Sequence, residues 1–484
     1  MRGRWLHNGV LLAMMLVGYW LRVRYFDRSM RFDEALSFIE YVSTNMPSIM
    51  ANYSEPNNHI FHSLLAHVAW LVFGNHPVIL RMAAWIPGVV MIPFAYEVGR
   101  KFYGRGAGLL AAAIVAVSPS LLDMSVNARG YSLQVLITLM LFWLGQRLLE
   151  KNRNNEWLWF ALLSALGFLT IPTMLYPMGA VALWLLLSIW FDNAGYRRRV
   201  LLKNYVVGIG LGAVLTLILY VPVMMFSGLD RLINNPFVQP VPPGEYYPRF
   251  YENYAGFFAW AHQWLPFTTV TAAVMGFAAV AGLVTHRSRS PYSVAPLVTA
   301  LVWVTLALLV QRVFPYPRIV SSLMPIYFMT VGAGIVFLTE RFCSRQGRDV
   351  ACYVPTGIAI VFVIGVAAHT VRTGVIITSP ETGIAEDAEI AAFYFAENIT
   401  GSDSLAYSYP SNYTVRYYEG FHGIDTENRP ESDRAQVLIY YHSDAERERL
   451  LNDLIALDPA FDDATFEVVE QFAHSTLEEI IRSP

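Results

Sequence analysis

Apolar runs of about 17 to 25 residues recur through the first three quarters of the chain. They lie near 6–24, 81–99, 107–122, 131–149, 157–171, 173–191, 204–226, 264–285, 293–311, 318–339 and 350–370. A helix rising ~1.5 Å per residue crosses the ~30 Å hydrocarbon of a bilayer in about 20 residues. The pattern therefore predicts an α-helical polytopic membrane protein with about eleven transmembrane helices. Between the first two runs, over about 25–80, it changes to two amphipathic stretches. Phe32, Ala35, Leu36, Ile39 and Val42 recur at helical spacing, with Asp33, Ser37 and Glu40 opposite. Ile60, Phe61, Leu64, Leu65 and Val68 form the apolar side of the second, with His59, His62, Ser63 and His67 nearer its polar side. Both read as interfacial helices.

The segment 227–263, rich in Pro, Asn and Tyr, reads as a lid or an acceptor-binding loop. From about 371 the pattern is that of a soluble domain: helix (AEDAEIAAFYFAEN), strand (DSLAYSYP), helix through 413–418, strand (VLIYYH), helix (AERERLLNDLIAL) and strand (FEVVEQFAH). This alternation predicts a small α/β domain. The expected division is a membrane domain over 1–370 and a soluble domain over 371–484.

Charge decides the orientation. If 58–73 lies flat, all three lysines, Lys101, Lys151 and Lys203, fall on one side with most loop arginines, which is the cytoplasmic side by the positive-inside rule. Counting that segment as a twelfth span breaks the agreement. The start MRGRW and the following apolar run read as a signal anchor, and an odd number of spans puts the C-terminal domain outside the cytoplasm. Arg22, Arg24, Arg28 and Arg31 go against the rule at the outer end of the first span, where they meet either anionic headgroups or a phosphate.

Composition agrees: 55% hydrophobic residues and a mean hydropathy of +0.40 need a bilayer as solvent. The net charge of -3 and the lack of a long basic block exclude a nucleic-acid partner. Cys343 and Cys352 are the only cysteines, so neither a disulfide framework nor thiol chemistry is expected. A cysteine-free outer domain points to a prokaryotic inner or plasma membrane.

The residues able to carry chemistry gather at the outer face. Asp33-Glu34 is a carboxylate pair that suits a general base or a hard divalent cation, or equally the solvated face of an interfacial helix. Asn58, His59 and His62 open the second interfacial helix as a site lining or as amphipathic filling. Asp123 precedes Asn127-Ala128-Arg129-Gly130-Tyr131, where Arg129 forks onto a phosphate or snorkels to the interface. Arg318 follows Tyr316-Pro317 at another outer span boundary.

The order of these features resembles the GT-C superfamily of membrane glycosyltransferases, in the branch of the protein O-mannosyltransferases and the lipid A aminoarabinose transferase. The resemblance covers about the first 150 residues. It comprises Asp33-Glu34, the segment from Pro56 to Leu65, Phe73-Gly74, Arg81, the basic turn GRKFYGRGAGLLAAAIVAVSP, and Ala128, Arg129, Tyr131, Ser132 and Leu133. The chain departs from many relatives at Asn57-Asn58-His59, where they carry two prolines, and at Asn127, where they carry Glu or Gln.

The resemblance implies a polyprenyl-phosphate sugar donor and a reaction outside the cytoplasm. Asp33 is then the expected base and Glu34 its support. Arg129, Arg318, Tyr131, Arg81 and His262 are expected at the donor phosphate and lipid, with Asn58, His59 and His62 lining the acceptor side. A divalent ion (Mg, Mn or Zn) on Asp33, Asp123 and His59 is a further expectation. Sugar and acceptor stay open: protein hydroxyl, glycolipid or wall polymer. Competing functions are an oligosaccharide ligase on the same carrier class, with His262 and Arg249 central, and a flippase or transporter of lipid-linked sugars.

Overall fold

The computed structural model describes residues 2–234, 238–343, 348–401, 403–424, 436–457, 461 and 464–481. Residues 235–237 of the expected lid and the basic Arg345 lie outside them. The chain forms two compact units. The first takes in Met1–Phe26, Met46–Leu65 and Arg81–Ile377; the second takes in Asp27–Asn45, Ala66–Leu80 and Thr378–Pro484. The second unit thus takes in two stretches of the first interhelical segment, which the sequence pattern groups with residues 1–370.

In the first unit all eleven apolar runs contain helix, and fewer are long and apolar enough to count as spans. Among the described residues, six helices are long and apolar enough to cross a bilayer: Pro77–Tyr103, Tyr131–Lys151, Pro172–Asp192, Gly195–Phe226, Pro317–Cys343 and Tyr353–Thr373. A seventh counts if Arg105–Val117 and Pro119–Ser125, bent by 59°, are taken together. The expected eleven is therefore not reached. Two of the remaining runs fold as Thr268–Val284 and Pro296–Gln311, 17 and 16 residues long, about 25 Å against ~30 Å of hydrocarbon. Ile60–Phe73, at 14 residues, is shorter still. Counting apolar residues in a window cannot see a break such as Ser118-Pro119, where Ser118 has ψ 118 and the proline supplies no N–H to continue the first helix.

The Arg105–Val117 helix is the centre of this unit, buried continuously from Ala107 to Val117. Its small side chains let neighbours approach closely. The same device joins Thr268–Val284 to Met324–Cys343: a Cβ on Gly334 would lie 1.7 Å from the carbonyl oxygen of Ala278, and one on Gly282 would lie 2.2 Å from that of Thr330. With no hydrophobic drive between helices in lipid, such close backbone contact supplies the association energy. The outer surface is apolar: Val206, Val207, Val214, Leu217 and Ile218 of Gly195–Phe226 are all exposed.

The second unit is built on a sheet of β1 (Ser404–Tyr407), β2 (Val437–Tyr441), β3 (Thr465–Gln471) and β4 (Thr476–Ile481) in the order β1-β2-β4-β3. β1 and β2 are parallel, and β4 is antiparallel to both β2 and β3. Helices Ala388–Asn398, Ser411–His422 and Asp444–Leu457 accompany it, so the expected α/β pattern is present. β4 was not foreseen, because TLEEII carries two glutamates in a short run. It is nonetheless interior: Leu477 and Ile480 are buried, and Glu478 accepts from Arg447 Nε at 2.7 Å and Tyr441 Oη at 2.8 Å.

Candidate functional site

A polar cluster of the first unit forms where three chain segments meet. Arg129 donates from Nη1 to the carbonyl of Asn57 at 2.7 Å, and its Nη2 lies 3.2 Å from His59 Nε2. The backbone N–H of Gly130 donates to His59 Nδ1 at 2.8 Å. The His59 ring stands edge-on to Tyr131 at 5.1 Å. Arg318 Nε in turn donates to the Tyr131 hydroxyl at 3.1 Å. Gly130 permits this approach, since a Cβ there would sit 2.7 Å from Thr170 Cγ2 and 3.1 Å from His59 Nδ1.

Both ring nitrogens of His59 face donors, whereas a neutral imidazole offers one lone pair and one N–H. The shorter contact makes Nδ1 the acceptor, so the proton sits on Nε2, facing the Arg129 guanidinium. Burial first, then Arg129, His62 and Arg318, hold the His59 pKa well below its ordinary value. The site therefore presents a neutral imidazole between two guanidinium-bearing arms.

Sequence reasoning expected Arg129, Tyr131, Arg318 and His59 in one site, and the fold brings them together. The other expected residues have different surroundings. Asn58 pins the loop, donating to the carbonyls of Ile49 and Asn52 at 2.9 and 2.8 Å and accepting from Ser63 at 2.9 Å. His62 is buried one turn along. Arg81 is fully buried and donates to the carbonyl of Phe26 at 2.7 Å. Asp123 is buried on the short Pro119–Ser125 helix. His262 is engaged by the Phe258 carbonyl at 2.7 Å and the Tyr327 hydroxyl at 3.1 Å. Asn57, whose carbonyl receives Arg129, was singled out only as part of the motif around Asn58 and His59.

In the second unit the two carboxylates of Asp33-Glu34 are not equivalent. Glu34 is 1% exposed and accepts the Arg31 backbone N–H at 3.1 Å, closing the start of the Phe32–Ser37 helix as a capping glutamate does. Asp33 is the more exposed of the pair. The segment is held by the C-terminal part of the same unit. Arg31 Nη1 donates to the Ser379 carbonyl at 2.6 Å, Phe32 N to the Gly383 carbonyl at 3.1 Å, and Met30 N to the Tyr418 hydroxyl at 2.9 Å. Phe32 packs edge-on against Tyr409 and Tyr413, and the Tyr413 hydroxyl donates to Glu40 at 3.0 Å. Tyr413 and Tyr418 were not expected at a site, and Arg31 was expected to meet a headgroup or a phosphate rather than the Ser379 carbonyl. No local signal marks such pairings across more than 340 positions.

The metal expectation finds no cluster. Among the described residues no group of three or more His, Cys, Asp or Glu side chains is placed to hold an ion. His59 has no lone pair left once Gly130 is served.

Residues 56–226 match the family model described as dolichyl-phosphate-mannose-protein mannosyltransferase. No curated protein sequence matches the chain. Among solved structures, the apo form of ArnT from Cupriavidus metallidurans superposes with a TM-score of 0.57 at 13% identity, covering 98% of each chain. The same protein bound to undecaprenyl phosphate gives 0.54 at 12%, again over 98% of each. The oligosaccharyltransferase AglB of Archaeoglobus fulgidus, in complex with an inhibitory peptide and a dolichol-phosphate, gives 0.46 at 14%, over 89% of this chain and 61% of that one. The chain thus has the fold of ArnT along nearly its whole length and is similar over 56–226 to the mannosyltransferase family model.

Proposed function

We propose that this protein transfers a sugar from a polyprenyl-phosphate donor to an acceptor hydroxyl on the outer side of the membrane, with inversion at the anomeric carbon. The observation that carries the reading is the Arg129 and His59 pair, 3.2 Å apart with N–H groups on both atoms. A phosphate oxygen accepting from both would relieve that donor-to-donor contact. A fold of this kind has been solved with undecaprenyl phosphate.

In this mechanism the acceptor O–H gives its proton to the Asp33 carboxylate as its oxygen bonds to the anomeric carbon. The bond from that carbon to the phosphate oxygen breaks, and polyprenyl phosphate leaves as an anion with its charge held by Arg129 and Arg318. A phosphate needs no proton to leave, so one carboxylate suffices, unlike the pair in glycoside hydrolysis. Glu34 holds the backbone that presents Asp33.

The test is transfer by the purified protein in liposomes from polyprenyl-phosphate mannose, reading released polyprenyl phosphate and the product anomer. The expected result is an inverted product and loss of release in Asp33→Asn. Undiminished release in that variant refutes the assignment of Asp33. A product of retained configuration refutes direct displacement.

A further inference from the structure

Far from this cluster, the first unit holds a cavity of about 310 Å³ lined by His7, Asn8, Tyr96, Arg100 and Arg105. Its walls come from the start of the Arg2–Arg24 helix, the end of Pro77–Tyr103 and the start of Arg105–Val117. Arg81 and Arg100 sit at opposite ends of Pro77–Tyr103, about 28 Å apart along a helix. The cavity is thus roughly one hydrocarbon thickness from the face that carries the expected chemistry.

The lining is rich in donors. Arg100 gives Nε and Nη2 to its neighbour Glu97, at 2.8 and 2.7 Å, which leaves its Nη1. Arg105 makes no hydrogen bond or ion pair among the described residues, and Asn8 and Tyr96 make no hydrogen bond among them either. The Arg105–Val117 helix begins after Gly104, and no side chain caps its first turn, which adds backbone N–H groups and the positive helix end to the same place. The next cation on the Pro77–Tyr103 helix, Lys101, is occupied by Glu150 at 3.2 Å. The cavity therefore has a surplus of positive charge and of N–H groups. Its volume is roughly that of ten waters, room for a phosphate ester with a glycerol but not for a second folded element.

Below it runs an apolar track. Asn8 lines the cavity, and Leu12, Leu16 and Tyr19 follow at helical spacing on the same face, 57%, 59% and 46% exposed. That row extends about 16 Å, the reach of an acyl chain.

We propose that this cavity binds the phosphate of an anionic phospholipid, with one acyl chain lying along Leu12, Leu16 and Tyr19. The site is separate from the proposed donor site and takes a structural or regulatory lipid rather than the substrate. A free phosphate shares the headgroup chemistry but has no use for the track.

The test is native mass spectrometry of the purified full-length protein after exchange with phosphatidylglycerol or phosphatidylcholine, alongside thermal shifts with inorganic phosphate alone. The wild type is expected to retain phosphatidylglycerol selectively. Arg105→Glu is expected to reduce that retention by at least about fivefold, since a basic side chain near such a surface contributes ~1 kcal/mol. Leu12→Ser with Leu16→Ser should lower it as well while melting and sugar transfer stay as in the wild type. Equal retention of both lipids by the wild type, or of phosphatidylglycerol by wild type and Arg105→Glu, overturns the proposal. Stabilisation by inorganic phosphate alone that Arg105→Glu abolishes and both leucine changes leave intact overturns the lipid assignment in favour of a soluble anion.

Discussion

Gly130 donates its backbone N–H to His59 Nδ1 at 2.8 Å, and that bond decides which nitrogen of the ring carries the proton. The histidine cannot take a second proton without setting a donor against Gly130 and a cation against Arg129. Stability follows from this. An unfolded His59 titrates near 6.5, whereas the folded one does so well below that. Above about pH 6.5 the two states bind protons alike and the contribution is fully present; as pH falls towards the folded value the unfolded state gains protons first and stability is lost. The melting temperature should fall on acidification from pH 7 to 5. His59→Gln, which keeps an acceptor for Gly130, should flatten that fall. An identical slope in the variant would refute the tautomer assignment.

Arg129 spans the Asn57 carbonyl and the His59 ring with a forked side chain. Lysine cannot reproduce that geometry. Arg129→Lys should lower turnover strongly, and Arg129→Ala by about 100-fold, the range for removing one donor to a developing anion. Steady-state kinetics with the polyprenyl-phosphate donor measures this, and a change confined to KM would make Arg129 a ground-state binding group only.

The Tyr418 hydroxyl receives the backbone N–H of Met30 at 2.9 Å. Tyr418→Phe should cost about 1 kcal/mol locally and raise amide exchange over residues 30–34 of the Asp33 segment. Exchange unchanged there would mean that the segment is held without this bond.

Gly334 sits against the Ala278 carbonyl with no space for a methyl group. Gly334→Ala should force the Thr268–Val284 and Met324–Cys343 helices apart and cost at least about 1–3 kcal/mol, read as a lower melting temperature in detergent. By contrast Gly210, with nothing near its Cβ position, should accept alanine with little change.

Periodicity made the helices legible because lipid-facing and core-facing positions are both apolar, so each run of Leu, Val and Ala announces itself. It does not settle the number of spans, because apolarity says nothing about length inside the bilayer or about a bend at Ser118-Pro119. Arg129, His59, Tyr131 and Arg318 were visible as outer-boundary polar residues, and the fold joined them. Glu34 was paired with Asp33 by adjacency, yet successive helical residues point about 100° apart, and Glu34 turns back to the backbone N–H of Arg31. Arg31 itself, awkward under the charge rule, is answered by Ser379. β4 escaped notice because Glu478 is polar in sequence and interior in the sheet, where Arg447 and Tyr441 satisfy it.

The pairing of Met30 with Tyr418 spans 388 positions. At ribosomal rates that separation is roughly 20 to 80 s of synthesis. During that interval the acidic pair has already left the ribosome, while Ser379, Gly383 and Tyr418, which hold its segment, have not yet been translated. Beyond the local bond between Arg31 and Glu34, the segment therefore gains its long-range contacts only much later in synthesis. A nascent chain stalled short of Ser379 would carry Arg129 and His59 without the contacts that hold the Asp33 segment, and under the proposed function such incomplete copies would not spend lipid-linked sugar.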